Sequence, residues 1–273
     1  MKEIIIRPKP KWQLVDLEEI WRYRELLYIF TWRDIKVRYK QTILGVLWVI
    51  FQPIVSMIIF TIFFGKLAKI PSYDMPYSLF VLIGLIFWNF FSNTLSHSSA
   101  SMVANEGIIK KVYFPKIILP LSSIITGFVD FSINLFILLT FSLILGYIPS
   151  LWALVVFPSA VFITAITSAG SGFFLSSINV KYRDVNYILP FFIQILLFLC
   201  PVIYPLAIVG ETNKAIMAIN PLTTVVESVR MVFLGRGFIN GNLILISVFS
   251  SVLIFIFGLW YFRKTEQFFA DIV

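Results

Sequence analysis

Residues 17–40 read LEEIWRYRELLYIFTWRDIKVRYK, and from Ile43 to Gly65 the chain turns almost wholly apolar. Placed at about 100° per residue, Leu17, Trp21, Tyr28, Trp32, Ile35 and Tyr39 fall within one narrow sector. Glu18, Arg22, Glu25, Arg33, Lys36 and Lys40 gather on a neighbouring sector. A basic amphipathic helix of this kind lies in the membrane interface, its aromatic stripe toward lipid. It leaves a charged ridge on the cytoplasmic side. Two readings of that ridge are open: a simple surface anchor, or a grip for a soluble partner.

Composition settles the broad class. The 273 residues are 59% hydrophobic and 17% aromatic with 13% charged, more apolar surface than a soluble protein can hide. The chain reads as an integral membrane protein. Its one cysteine, Cys200, sits in the apolar run ILLFLCPVIYP, which excludes an internal disulfide and suggests no metal site. The opening MKEIIIRPKPKW has too short an apolar core for a secretory signal, so the chain is expected to be used whole.

The predicted fold is all-α with six spans, at 43–65, 76–97, 117–146, 151–177, 187–205 and 242–262. Each is near the ~20 residues a bilayer requires, and the second can continue as a helix to Ala104. Pro53, Pro120 and Pro190 lie near span ends or kinks, which membrane helices tolerate. The organisation is a cytoplasmic N-terminus (1–42), a transmembrane domain (43–262) and a cytoplasmic tail (263–273). Seventeen of the twenty-two Lys and Arg residues fall on one side of this topology, which the positive-inside rule places in the cytoplasm with both termini. The net charge of +8 is therefore topological, with some affinity for anionic headgroups. It is not a nucleic-acid signature, because the basic residues are not collected on a soluble face.

Two cytoplasmic connections stand out. NEGIIKKVYFPKIILPL (105–121) holds an i,i+4 pair, Glu106 and Lys110, beside Ile108, Ile109 and Val112, and Pro115 stops the turn. It reads as a short amphipathic helix on the membrane face, or as a basic loop that only enforces topology. NVKYRDV (179–185) places Lys181, Arg183 and Asp184 at the end of a helix pair. On the outer side, 206–241 is too long for a tight turn and too apolar for a solvated loop. Segments 216–219 and 223–234 suggest two half-helices around Asn220 and Pro221, hence a re-entrant hairpin. Glu227 and Arg230, three apart, suit either a neutralised pair at the outer interface or a gating contact.

In order along the chain, RDIKVRYKQTILGVLWVIFQP (33–53), NEGIIKKVYFPKIILPL, NVKYRDV, PVIYP (201–205) and NPLTTVVESVR (220–230) carry a resemblance. Together they resemble the permease subunit of bacterial ABC exporters of the polysaccharide type, which export O-antigen, capsule or teichoic acid. The resemblance runs from about Ile20 to the end and leaves out 1–16. It implies two copies of a six-helix permease in the bacterial cytoplasmic (inner) membrane, paired with two copies of a cytoplasmic ATPase that holds ATP and Mg. It implies an interface helix bearing Trp21, Arg22, Tyr28, Trp32, Arg33, Lys36 and Tyr39. The coupling element would be Glu106, Gly107, Ile108, Ile109, Lys110, Lys111 and Val112, with Arg183 and Asp184 as a second contact. The stretch 206–234, with Asn220, Pro221, Glu227 and Arg230, would form the outer gate. The chain itself contains no G-x-x-x-x-G-K-[ST] loop, so it is read as a transport subunit, not an enzyme, with no cofactor of its own. Six spans without a repeat also argue for a second copy, most simply a two-fold dimer.

For the substrate that the resemblance implies, Phe87, Trp88, Asn89 and Phe91 are the candidate path. Flat rings interleaved with amides suit the apolar faces and polar rims of sugars, with ordinary packing as the alternative. Asp130 is the one acid deep in a span, and a structural partner such as Asn134 or a group on a neighbouring helix is expected. His97 has no second ligand near it in sequence and suggests no metal. The leading function is ATP-driven export of lipid-linked polysaccharide. The alternative is an ABC permease for a small drug or lipid. An ion-coupled carrier or membrane enzyme is disfavoured by the scarcity of intramembrane ionisable residues.

Overall fold

A chain in lipid must satisfy every backbone N–H and C=O internally, and a helix does so segment by segment. In the computed structural model the described residues, 17–40, 45–235, 240–266 and 269, accordingly form helices joined by turns. The segment 1–16, the boundary placed at 42, Arg236 and most of the tail beyond Glu266 lie outside those residues.

Helix α1 (Leu17–Arg22) meets α2 (Arg24–Lys40) at Tyr23, whose N–H still donates to the Glu19 carbonyl at 3.1 Å. Helix α3 (Val46–Phe60) runs directly into a π-helical segment, Thr61–Leu67. There follow α4 (Tyr77–Ala104), the single turn α5 (Glu106–Ile109), α6 (Ile118–Ile144) and α7 (Ala153–Lys181). After α8 (Val185–Leu199) come a short 3-10 turn (Leu206–Ile208), α9 (Glu211–Met217), α10 (Pro221–Phe233) and α11 (Gly241–Glu266).

Among the described residues five helical segments are long and apolar enough to cross a bilayer: Leu47–Leu67, α4, α6, α7 and α11. The span expected at 187–205 differs. It stops at Leu199, because Pro201 has no N–H to donate and forces Cys200 into an extended conformation (φ −84°, ψ 140°). The 15 residues of α8 reach about 22 Å, short of the ~30 Å hydrocarbon core.

Helix α4 is the hub. Of its most apolar window 83% is inside the protein, packed by α3, α6, α7, α8 and α10. Helices α7 and α11 approach at Gly170 and Gly258, where the backbones nearly touch. A Cβ at Gly170 would sit 2.6 Å from the Ile254 carbonyl oxygen. Small residues permit such approaches in membranes, where dispersion replaces the hydrophobic drive. Gly170→Ala is expected to push α11 outward at a cost of about 1–3 kcal/mol. The reading is the thermal unfolding of detergent-purified protein, and unchanged stability would contradict so close a crossing.

Candidate functional site

The bundle has a basic end, where α2, α5 and the α7–α8 turn meet, and an opposite end closed by α10. At the basic end, α2 is held by a third face that lies between neither of its predicted sectors. Phe30 and Thr31 are buried there, and the Phe30 ring packs on Phe114 (5.7 Å between centroids). Arg33 lies 5.0 Å over Phe30, donates to Asn105 Oδ1 at 2.8 Å and grips Asp34 at 2.8 and 3.0 Å. Trp21, Tyr28 and Trp32 remain outward, 70%, 67% and 55% exposed, and Arg22 and Lys36 are exposed beside them.

Tyr39 departs from the expected lipid-facing stripe. Its hydroxyl and the guanidinium of Arg38 both donate to the Asp130 carboxylate, tying the end of α2 to α6. Burial first, and then the Asp130 carboxylate, push the Tyr39 phenol well above its usual range. Asp130 therefore has a structural partner, as expected, but on α2. The side-chain oxygen of Asn134, Oδ1, makes no hydrogen bond among the described residues. The spacing of Arg38 and Asp130, 92 positions apart, left no local signal.

The predicted coupling helix shrinks to one turn, α5, with an irregular continuation through Lys111 and Val112. Glu106 accepts from Lys110 Nζ at 2.7 Å, and its second oxygen lies 3.5 Å from Arg183 across the α7–α8 turn. Lys110 and, more weakly, Arg183 hold its carboxyl below the usual carboxylate range. Ile109 turns inward and is buried with Phe30 and Phe114; Ile108 is partly buried. Gly107 has open space around it, and Lys111, Val112 and Tyr113 are exposed. Asp184 takes the N-cap position of α8 without a side-chain capping bond. The structure thus brings Glu106, Lys110 and Arg183 together and separates Ile109 from them.

At the opposite end, Asn220 caps α10 by accepting the Leu222 N–H at 3.2 Å, and Pro221 fills the first helical position. The pair three residues apart is not at an interface. Glu227 and Arg230 are 1% and 0% exposed, which corrects the surface expectation. Arg230 donates to the carbonyls of Pro201 (2.6 Å), Val202 (2.8 Å) and Phe80 (3.2 and 3.3 Å) and to Glu227 Oε1 (3.2 Å). Its guanidinium carbon stands 3.4 Å from the Phe80 ring centroid. Glu227 also accepts from the Leu206 N–H (2.7 Å) and the Tyr73 hydroxyl (3.0 Å).

The cause lies in the broken helix. Where α8 ends, carbonyls lose their intrahelical donors, and the five-donor fork of an arginine satisfies several at once. The signal was present in the sequence: PVIYP breaks an apolar run and leaves acceptors that need a donor, and VVESVR offers one.

The candidate path is also reordered. Phe87, Trp88 and Phe91 are 0%, 5% and 5% exposed, with Phe87 packed on Phe131 (5.2 Å) and Trp88 on Phe91 (5.7 Å). Within the chain these rings are packing side chains. Asn89 alone of the four is half-buried. Adjacent positions on a helix point about 100° apart, so the four were never one face. Among the described residues, no group of three possible metal ligands occurs.

A bundle of bilayer-length apolar helices with an exposed basic platform defines a multi-pass membrane protein. The sequence model of the ABC-2 type transporter family matches residues 25–234, from α2 to the end of α10. The chain belongs to this family of membrane transport subunits. It is 30% identical over 250 residues to an O-antigen export system permease protein RfbA of Klebsiella pneumoniae, covering 91% of this chain and 95% of that protein. Identity to the RfbA permease of Myxococcus xanthus is 29% over 219 residues, 80% of this chain and 83% of the relative. The polysialic acid transport protein KpsM of Escherichia coli is 26% identical over 241 residues, 86% of this chain and 91% of the relative.

Proposed function

We propose that this chain is the channel-forming permease half of an ATP-driven exporter of lipid-linked polysaccharide. It works as a two-fold pair in the bacterial cytoplasmic membrane with the basic end, both termini included, in the cytoplasm. Two copies of a separate ATPase, carrying ATP and Mg, dock there. The relatives named for O-antigen and polysialic acid transport support a glycan substrate over a small drug or lipid. The observation that carries the coupling assignment is Glu106, held between Lys110 and Arg183 and so joining α5 to the α7–α8 turn. The neighbouring Lys111, Val112 and Tyr113 stay exposed for a partner, while Arg33 and Asn105 join α2 to the same platform. Closure of the ATPase pair would move α5 and α2 together and part the spans.

An exposed ion pair contributes little to fold stability, so a large loss on altering it reports on docking. Glu106→Arg alone, and Glu106→Arg with Lys110→Glu, are expected to leave the permease in the membrane but lower glycan export about fivefold or more, the range of a typical coupling energy. ATPase co-purification and surface glycan are scored separately. Normal assembly and export in both variants would remove the coupling assignment.

A further inference from the structure

Although α4 is the most buried span, one strip of it is open. Between positions 89 and 100 the residues that are not buried are Asn89, Asn93, Ser96, His97 and Ala100, and every other is buried. At about 100° per residue these five share a sector roughly 100° wide. Four of them are polar. Elsewhere the exposed faces of the spans carry side chains such as Phe136, Leu143, Leu154 and Phe162, the kind that lipid accepts. Exposed hydroxyls on those faces, Ser132 and Thr140, donate back to their own helix at 2.8 and 2.9 Å. Ser96 does the same, donating to the Ser92 carbonyl at 2.8 Å, but no partner for the carboxamides of Asn89 and Asn93 is found among the described residues. Gln52 of α3 and Gln194 of α8, on helices packed against α4, are exposed carboxamides as well.

Hydrocarbon supplies no hydrogen bonds, so polar side chains at membrane depth turn toward protein or a water-filled cavity. Among the described residues the strip is only partly covered: Asn89, Asn93, Ser96 and Ala100 are half-buried and His97 is exposed. Beyond Asn89 the same side of α4 is covered, with Leu82, Leu85 and Ile86 buried, and the opening therefore runs from mid-span to the basic end. Its carboxamide, hydroxyl and imidazole groups are donors and acceptors in mixture, and the charges that act on His97 are paired, Arg38 with Asp130 and Asp34 with Arg33. That chemistry matches hydroxyl groups, which donate and accept at once.

We propose that Asn89, Asn93, Ser96 and His97 line a water-filled route between two copies of this chain and hydrogen-bond the hydroxyls of a glycan passing along it. The glycan half of this inference rests on the polysaccharide-export reading. Single cysteines at these four positions, in open membrane fragments holding the whole transporter, are exposed to a charged methanethiosulfonate reagent. The wild type, whose one cysteine is buried, is the blank. Only a thiolate reacts, and it forms in water, so the four should label about tenfold faster or more than Phe136→Cys and Phe162→Cys. Labelling at the rate of those two lipid-facing positions would overturn the route. In sealed inside-out vesicles, modification of Asn93→Cys should also cut glycan export to a small fraction of that of the same unmodified variant. Fast labelling with an unchanged ratio would overturn glycan contact and leave only a wet surface. Should the wild type itself export no glycan, the export reading falls and the glycan half with it, while the labelling pattern still decides the route.

Discussion

Arg230→Met is expected to remove most of the folded permease from the membrane. The substitution keeps a long apolar stem but strips five donors from a site that water does not reach. The carbonyls of Pro201, Val202 and Phe80 then have no donor from this position, and Glu227 stays buried beside them without its cation. Breaking one side of a buried ion pair costs about 3–5 kcal/mol, against a typical total stability of about 5–15 kcal/mol. The measurement is the yield of monodisperse protein after detergent extraction. Arg230→Met combined with Glu227→Gln should recover part of the loss, because the uncompensated charge is gone while the carbonyls still lack donors. Wild-type yield for Arg230→Met would mean that the broken end of α8 is held by something else.

Asp130→Leu is expected to act differently: the bundle forms, but the end of α2 comes loose and export falls. Two donors from α2, Arg38 and Tyr39, converge on this carboxylate. The cost lies below the ~3–5 kcal/mol of a fully buried pair, because Arg38 keeps a quarter of its side chain exposed and can rehydrate. Phe30 and Arg33 still hold the middle of α2. The expected signature is faster proteolysis in 36–40 with near-normal expression, and export reduced about fivefold or more if α2 carries motion into the spans. Asp130→Asn, which keeps an acceptor for the Tyr39 hydroxyl, should fall between the two. A free α2 end with full export would show that the interface helix anchors and does not transmit.

The spans were legible because lipid imposes a simple rule, and long apolar runs such as 118–144 or 241–266 have no alternative to a helix. What the runs conceal is depth and partner. PVIYP looked like the end of a span because its residues are apolar, yet its two prolines stop α8 early and create the acceptors that Arg230 serves. Glu227 and Arg230 looked like a surface pair because charge normally marks solvent; only the position of a distant carbonyl row says otherwise. Tyr39 shared a sector with Trp21, Tyr28 and Trp32, but a helix has several faces and its contact face is chosen by neighbours far off in sequence. The aromatic cluster on α4 misled for a related reason. Aromatic rings pack as readily as they bind, whereas the half-buried carboxamides one face away have no hydrogen-bond partner among the described residues. The family resemblance, carried by motifs in order, survived all of these corrections because it depends on order and not on facing.

The export reading itself is tested most directly in cells from which this chain alone has been deleted, by measuring lipid-linked glycan on each side of the cytoplasmic membrane. The prediction is that surface polysaccharide disappears, full-length lipid-linked glycan accumulates on the cytoplasmic face, and wild-type protein restores both. Unchanged surface polysaccharide, with no glycan held at the cytoplasmic face, would contradict it.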